Sequence, residues 1–198
     1  MYQEAINPKH VAISLAGEPT LYPRLDELIE VFKEKGMTVF IVTNATNPDV
    51  LASLSNEPTQ LYVSIYGPDE ETYKRLCRPL ISDAWKRINE TLELLNSFSC
   101  PTVFRITLVK GYNMERPEAY ASLIEKSNPT YVEPKAYMFV GFSRKRLEYH
   151  NMPTHEDVRA FAAKVAEETG YKVLDEARAS RVVLLSRLEK PIRFDGKS

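Results

Sequence analysis

The sequence predicts an α/β protein folded as a partial barrel around a parallel sheet. Two observations predict it: short apolar runs rich in β-branched residues recur along the chain, and each is followed by a segment of helical periodicity. The five predicted strands of this kind do not close a barrel, so we expect an open one. No repeat, low-complexity stretch or Gly/Ser linker interrupts the pattern, which indicates a single domain.

The expected parallel strands are apolar on both faces, as buried strands of parallel sheets are. They are His10–Leu15, Thr38–Thr43, Gln60–Ile65, Thr102–Val109 and Tyr131–Val140. Apolar residues at helical spacing predict helices through residues 25–32, 85–95, 120–124 and 158–165, of which the first ends at Gly36 and the last at Gly170.

A β extension is expected at the end of the domain. Tyr171–Leu174 and Arg181–Ser186 have the composition of two short strands joined by a short loop, and we expect them to pair antiparallel at the sheet edge. The predicted domain therefore covers residues 1–188, and residues 189–198 are expected to form a flexible tail.

Composition excludes several classes of protein. With 43% hydrophobic and 27% charged residues, no apolar run long enough for a bilayer and no secretory signal, the sequence predicts a cytoplasmic protein without a membrane partner. The net charge of -1 gives no overall basic field, so any nucleic-acid contact must come from a local patch. Neither a GxGxxG nor a P-loop motif follows a strand, which argues against nicotinamide and P-loop nucleotide sites.

The strongest motif follows the first predicted strand, in the run SLAGEPTLYP at residues 14–23. Gly17 allows close approach of a ligand, Glu18 supplies a carboxylate and Pro19 fixes a turn. An ammonium that leaves water needs acceptors of this kind around it. The alternative is a strand-to-helix turn with Glu18 near a helix N-terminus, and the length of the run GEPTLYP favours the ligand-binding interpretation.

Polar residues also lie at the ends of later strands, the edge where α/β sheets bind ligands. Asn44 could hold a ligand or orient Glu18, or it could cap its own loop. Ser64 and Arg105 could meet a ligand's carboxylate or ribose, although a buried arginine could equally be half of an internal ion pair. Lys110 could face an anionic substrate or be a solvated flank.

The fifth strand carries charges that alternate with apolar residues. Glu133 and Lys135 can therefore face the barrel lumen together, or they can pair with each other. The backbone around Val140 could contact an adenine.

A basic turn, residues 141–146, follows that strand and contains Arg144, Lys145 and Arg146. These residues could bind the phosphates of a nucleic acid, or they could form a solvated charged turn. The carboxyl ends of parallel strands all lie at one edge of the sheet, so we expect the basic turn on the same rim as Glu18. For the same reason we expect Glu18 and Asn44 to lie close together on that rim.

These motifs, in this order, resemble the radical S-adenosylmethionine (SAM) superfamily. Its members carry Gly-Gly-Glu-Pro or a similar motif, with Ala16 here in place of the first glycine, and commonly Thr-Asn-Gly where this chain has residues 43–45. A narrower resemblance, to the archaeal-type tRNA 4-demethylwyosine synthases, rests on three segments between residues 133 and 153. They are a Glu-x-Lys-Ala-Tyr-Met strand, a Gly-aromatic-Ser-Arg turn and an Asn-Met-Pro with a histidine nearby.

The resemblance implies a partial (βα)6 TIM-like barrel of the radical SAM type and an enzyme that condenses N1-methylguanosine-37 of tRNA with pyruvate carbons to give 4-demethylwyosine. It implies SAM, a 4Fe–4S cluster, an electron donor, tRNA and pyruvate. The residues expected to bind SAM are Gly17, Glu18, Pro19, Asn44, Ser64, Arg105 and Val140. Those expected to bind substrate or tRNA are Lys110, Lys135, Arg144, Lys145 and Arg146.

One departure from the family pattern concerns the cluster. The family binds it through Cys-x3-Cys-x2-Cys upstream of the Gly-Glu-Pro motif, whereas the cysteines here are Cys77 and Cys100 alone. We therefore expect that the first βα unit is missing through truncation or a short gene model, and that this chain by itself is inactive and holds no metal. Two alternatives remain: another radical SAM enzyme such as a glycyl radical activating enzyme, and a cluster-free protein that binds RNA or a partner.

Overall fold

The structure is a computed structural model that describes residues 6–14 and 17–194, and the described residues form one mixed sheet with helices. The strands are β1 (His10–Ile13), β2 (Thr38–Thr43), β3 (Gln60–Ile65), β4 (Thr102–Leu108), β5 (Tyr131–Ala136), β6 (Lys172–Ala177) and β7 (Val182–Ser186). The α-helices are α1 (Leu25–Glu34), α2 (Pro48–Ala52), α3 (Glu70–Cys77), α4 (Ala84–Leu94), α5 (Pro117–Ser127) and α6 (His155–Thr169).

The strand order is β1-β2-β3-β4-β5-β7-β6, with the first five strands parallel. These five strands lie side by side in chain order, so the sheet winds in one direction, as a barrel does, rather than reversing as in doubly wound folds. Strand β7 pairs antiparallel with both β5 and β6, which confirms the expected β extension. The predicted α/β class with an open partial barrel is thus confirmed.

The two faces of the parallel strands differ. One face carries fully buried aliphatic side chains such as Ile41, Val63 and Ile106, which belong to the main apolar core. The other face is open and carries Tyr62, Arg105, Glu133 and Lys135 at neighbouring register positions. The open face corresponds to the lumen of a barrel, and its strands end at the rim where the motifs lie.

The end of the chain crosses this open face. The backbone N–H of Ile192 donates to Tyr131 Oη at 2.7 Å, and the Phe194 ring meets the Phe40 ring edge-on at 5.6 Å between centroids. The described part of the segment expected to be a flexible tail therefore contacts strands β2 and β5 across this open face. Residues 195–198, like Leu15 and Ala16, lie outside the described residues.

Predicted and observed strand bounds agree for β2 and β3, whereas β5 ends at Ala136 instead of Val140. The Tyr137 N–H still donates to the Leu108 carbonyl, but Met138 and Val140 are largely exposed, and a 3-10 turn begins at Gly141. The apolar run therefore continues beyond the ladder because its residues serve the rim and not the sheet.

Two short helices, α2 and α3, were not predicted. Helix α2 begins with Pro48 at its first turn, and α3 begins where Asp69 accepts the Thr72 N–H at 2.8 Å. Helix α3 is short and polar overall, with only Tyr73 and Leu76 as buried hydrophobic residues, so an apolar pattern had little length in which to appear and the Asp69 cap is its clearest mark in the sequence. In the described part of the chain no helix combines the length and the apolar character that a bilayer span requires.

Candidate functional site

A cavity of about 660 Å³ lies at the carboxyl rim of the parallel strands. We call it the rim pocket. Its lining combines a polar corner, an apolar wall and the edge of the basic turn, the combination that is common in small-molecule sites. The lining includes Glu18, Leu21, Asn44, Thr46, Asn47, Tyr66, Leu76, Cys77, Leu80, Ile81, Thr107, Val109, Tyr137, Ser143, Arg146 and Leu147.

The polar corner is built around the carboxylate of Glu18. Glu18 Oε1 accepts from the Thr20 hydroxyl at 2.8 Å, the Thr20 N–H at 3.3 Å and the Thr43 hydroxyl at 2.5 Å. Glu18 Oε2 accepts the Asn44 N–H at 2.8 Å. The carboxylate is thus fixed by two segments of the chain, and Oε2 keeps acceptor capacity for a further donor. The predicted proximity of Glu18 and Asn44 at the rim is confirmed.

Asn44 caps its own loop and also lines the pocket, so both sequence interpretations describe part of its role. Its Oδ1 accepts the Thr46 N–H at 3.0 Å and the Thr46 hydroxyl at 2.6 Å. Its Nδ2 group donates to none of the described residues. Asn47 completes the network by donating from Nδ2 to the Thr20 hydroxyl at 2.8 Å. We call these residues, Glu18, Thr20, Thr43, Asn44 and Asn47, the Glu18 corner.

Gly17 and Pro19 set the path of the chain into this corner. Gly17 has φ +87°, a left-handed conformation that residues with a side chain rarely adopt. Pro19 is buried at the first position of a 3-10 turn, Pro19–Leu21, which Glu18 caps by accepting the Thr20 N–H. The GEP triplet therefore shapes the turn, and its carboxylate faces the pocket.

The opposite wall is held by contacts between the end of α3 and the basic turn. The Arg146 guanidinium donates to the Leu76 carbonyl, and the Tyr137 hydroxyl donates to Ser143 Oγ at 2.9 Å. Burial raises the pKa of the neighbouring Cys77 thiol to about 12. Cys77 is therefore a neutral thiol at neutral pH in the described structure.

The basic turn lies on the same rim, as predicted, since Arg146 lines the pocket together with Glu18. Arg144 and Lys145 are exposed on the outer side of the turn. The Arg144 guanidinium lies 5.5 Å from the centroid of the Phe139 ring, and Lys145 Nζ lies 5.2 Å from that of Phe142. The turn is thus a row of cations interleaved with aromatic rings.

Several predicted site residues lie outside the pocket. Arg105 pairs with Glu133 at 2.7 Å and stacks on Tyr62, so the internal ion pair is the interpretation that the structure supports. Glu133 is thereby engaged by Arg105 and not by Lys135, which is half-buried on the open face without an ion pair among the described residues.

Two further residues at the rim are engaged elsewhere. Lys110 pairs with Asp157 at 2.8 Å, and Asp157 also caps the start of α6. The Val140 N–H donates to the Met138 carbonyl at 2.8 Å, and the Val140 carbonyl accepts the Ser143 hydroxyl at 2.6 Å. Ser64 is buried next to Tyr66, a phenol whose pKa is raised by burial.

The residues present do not fit a 4Fe–4S cluster. Among the described residues no group of three or more His, Cys, Asp or Glu side chains could hold a metal ion. Cys77 ends α3 and Cys100 precedes β4, and burial raises the pKa of both thiols to about 12. Cluster ligands are thiolates on one loop, which these two residues cannot supply.

Sequence reasoning did not single out Thr20, Thr43 and Asn47, although each is adjacent to a motif residue. Threonine and asparagine clustered around GEP and TNAT are the signal that could have found them, because a carboxylate in a half-buried corner needs several donors. The apolar wall from Leu76 to Ile81 carried no comparable signal.

Comparisons with known proteins match nearly the whole chain. The family model for the Radical SAM superfamily matches residues 2–124, and the model for Wyosine base formation matches residues 126–187. The chain is 54% identical over 190 residues to the S-adenosyl-L-methionine-dependent tRNA 4-demethylwyosine synthase of Pyrococcus abyssi, covering 94% of this chain and 56% of that protein. The corresponding Methanocaldococcus jannaschii protein is 41% identical over 191 residues, with 96% of this chain and 60% of that protein covered.

A solved structure, TYW1 with a lysine–pyruvate adduct bound, superposes with a TM-score of 0.86 at 40% identity and covers 93% of this chain and 59% of that one. The chain spans a little over half the length of these two archaeal relatives.

Proposed function

The chain belongs to the radical SAM superfamily, and from this premise we propose that it forms the SAM-binding and tRNA-binding part of a tRNA 4-demethylwyosine synthase. The observation that carries the proposal is the meeting of Glu18 and Asn44 in a pocket whose opposite edge is the basic turn. The relatives that match more than nine-tenths of this chain are named for this activity.

The rim pocket has the size and chemistry to hold SAM. Glu18 Oε2 and the Asn44 side chain would hold the polar methionine end, because an ammonium needs acceptors and a carboxylate needs donors. Leu80 and Ile81 on the apolar wall and the half-buried ring of Tyr66 would contact the apolar part of the molecule. In the whole enzyme, SAM held here by the Glu18 corner would supply the radical chemistry for which the superfamily is named.

The substrates belong to the proposal as well. A tRNA would be positioned by Arg144, Lys145 and Arg146, whose charges follow the strand end by a few residues. Pyruvate is proposed as a substrate because the similar TYW1 structure was solved with a lysine–pyruvate adduct bound. In this chain the half-buried Lys135, a cation on the open face, would attract the pyruvate carboxylate. The 4Fe–4S cluster and its electron donor complete the proposal for the whole enzyme, with cluster ligands other than Cys77 and Cys100.

The two alternatives make different predictions. A glycyl radical activating enzyme has no reason to match the Wyosine base formation model over residues 126–187, which contain the basic turn. A cluster-free RNA-binding protein would bind RNA but not SAM.

The test is binding of radiolabelled SAM to the chain by equilibrium dialysis, with S-adenosylhomocysteine as competitor. We expect the Glu18→Gln variant to bind at least about tenfold more weakly, since a charge-assisted hydrogen bond contributes about 1.5–3 kcal/mol. Glu30→Gln, a change of an exposed carboxylate on α1, is the matched control and is expected to bind normally. Failure of the wild-type chain to bind SAM, or unchanged binding by Glu18→Gln, would overturn the proposal.

A further inference from the structure

One wall of the rim pocket is a thin partition, which we call the dividing wall. It consists of Leu76, Arg146 and Leu147, which line the rim pocket on one side and a second cavity of about 520 Å³ on the other. Packing fixes a wall with a cavity on each side less firmly than it fixes an element of the core, so hydrogen bonds matter more for its position. A shift of the dividing wall would change the width of the rim pocket.

Asn151 ties the dividing wall to the rim end of β4. Its Oδ1 accepts the Glu148 N–H at 2.8 Å, and its Nδ2 donates to the Lys110 carbonyl at 3.0 Å. Glu148 directly follows Leu147 of the dividing wall. Lys110 directly follows Val109, which also lines the rim pocket. One side-chain amide therefore bridges two separate parts of the pocket lining.

The bridge is itself held firmly. Asn151 is only 7% exposed although its side chain is polar, and its backbone carbonyl accepts the Lys110 N–H at 2.9 Å. Met152 packs against a small apolar cluster whose buried members all line the rim pocket. The Pro153 carbonyl accepts a hydrogen bond from Arg181 Nη1 at 3.0 Å. The segment 151–153 is thus anchored to the rim and can position what it bonds.

The bridge requires the chemistry of an amide. It joins an N–H, which needs an acceptor, to a carbonyl, which needs a donor, and an asparagine side chain offers one of each. An ionised carboxylate offers acceptors alone and would repel the Lys110 carbonyl. A protonated carboxyl group again offers one donor and one acceptor in nearly the same shape as the amide.

We propose that Asn151 is a positioning residue for SAM binding, which sets the width of the rim pocket by joining the dividing wall to the end of β4. Asn151 lines the second cavity and not the rim pocket, so it acts through Leu147 and Val109 and not by touching the ligand. The inference rests on the proposed function, because SAM is the ligand whose binding it describes.

The test is SAM binding by the Asn151→Asp variant, measured by equilibrium dialysis at neutral and at mildly acidic pH. At neutral pH the ionised carboxylate should weaken SAM binding at least about tenfold, since a buried carbonyl loses its donor. Burial and the facing carbonyl oxygen both favour the protonated form of the new carboxyl group. As this group takes up a proton in acid, the donor to Lys110 returns and the affinity should recover toward the wild-type value.

The wild-type chain, measured at the same pH values, corrects for other groups that titrate. Charged and titratable side chains surround the bridge, namely Arg75, Arg78, Lys110, Arg146, Glu148, His150 and Asp157. Asn151→Leu, which has a similar shape but neither donor nor acceptor, should bind SAM weakly at both pH values. Hydrogen exchange needs no ligand, and in Asn151→Leu the amides of residues 146–148 should exchange faster than in the wild-type chain.

Val165→Ala is the control for a general loss of stability. It shortens a fully buried side chain of α6, and we expect it to lower the free energy of unfolding while SAM affinity and its pH dependence stay unchanged. Normal SAM binding by Asn151→Asp at neutral pH, or a loss that does not recover in acid, would overturn the inference.

The same measurements distinguish this inference from the proposed function. If the wild-type chain bound no SAM, the proposed function itself would fail. If the wild-type chain bound SAM and Glu18→Gln lost it, while Asn151→Asp bound normally at neutral pH, the proposed function would stand and only the role of Asn151 would fall.

Discussion

The Glu18 corner and the basic turn lie on the same rim but are built in opposite ways. In the corner, Glu18 already accepts four hydrogen bonds from Thr20, Thr43 and Asn44 before any ligand arrives. On the turn, Arg144 and Lys145 are exposed and touch only aromatic rings. A small ligand needs a preorganised acceptor, whereas a large polyanion needs cations that are free to adjust. The corner should therefore contribute to stability and the turn mainly to binding.

The largest expected effect concerns the iron content of the purified chain, which should be either close to zero or close to that of a full cluster. Neither region offers a set of thiolates, so we expect the purified chain to be colourless and without stoichiometric iron after anaerobic reconstitution. Iron and sulfide assays with an absorption spectrum provide the measurement. A value near four iron atoms per chain would contradict the prediction. A variant with both Cys77 and Cys100 replaced by serine would then show whether these thiols bind the iron.

The next effect is on stability at the corner. In the wild-type chain both carboxylate oxygens of Glu18 accept hydrogen bonds. Glu18→Gln replaces one oxygen with an NH2 group, which is itself a donor and leaves its former partners without an acceptor. We expect a loss of about 3 kcal/mol in the free energy of unfolding. Urea titrations followed by the fluorescence of Trp85, the single tryptophan, measure it. Glu30→Gln serves again as the control. A loss below about 0.5 kcal/mol would show that the hydrogen bonds of the corner are not needed for the fold.

The reverse pattern is expected for the turn. Replacing Arg144, Lys145 and Arg146 with alanine should change the free energy of unfolding by no more than about 1 kcal/mol, because the lost partners are exposed rings and one carbonyl. Binding of hairpin RNA, followed by fluorescence anisotropy at several KCl concentrations, should weaken, and the slope of log affinity against log salt should become flatter by up to about three. SAM binding should persist. Unchanged RNA affinity and slope would leave the turn as a solvated loop.

The smallest expected effect is that of replacing Lys110, which we expect to change stability but not RNA binding, in contrast to the basic turn. Its ammonium lowers the pKa of Asp157 by a hydrogen bond, with Thr154 adding to the effect. A lowered carboxyl pKa stabilises the fold above the unfolded-state pKa, and the contribution is lost as pH falls through the folded-state value. We expect Lys110→Ala to cost about 0.5 kcal/mol at neutral pH, less in acid, and to leave RNA binding unchanged. Urea titrations at neutral and acidic pH check the pH dependence, and a loss of RNA affinity would reassign Lys110 to the substrate.

The sequence predicted the parallel strands well because they are buried on both faces, so their apolar runs start and stop with the ladder. It extended β5 too far because Tyr137 lines the rim pocket. An apolar run that continues from a strand into a pocket wall has the same sequence pattern as a longer buried strand. Helix α3 was missed because its surface position leaves few apolar residues to count.

The candidate site divides in the same way. Glu18 and Asn44 could be placed together because each directly follows a strand of one parallel sheet. The partner of Arg105 could not be chosen, since Glu133 lies opposite it only through the register between β4 and β5, which neither strand's pattern specifies. The cavity of about 520 Å³ beside the rim pocket was missed as well. Arg75 and Arg78 lie far in sequence from Arg146, Leu147 and Asn151, and they line this cavity together only in the fold.

The position of β7 has a consequence for synthesis on the ribosome. This strand pairs with β5 on one side and β6 on the other, although it is made after both. While residues 137–181 are emerging, β5 presents an unpaired edge, and β6 has no neighbour in the sheet. Such an edge can pair with another nascent chain. These edges stay unpaired until Val182–Ser186 leaves the exit tunnel. We therefore expect the chain to need a chaperone most in the interval before that point.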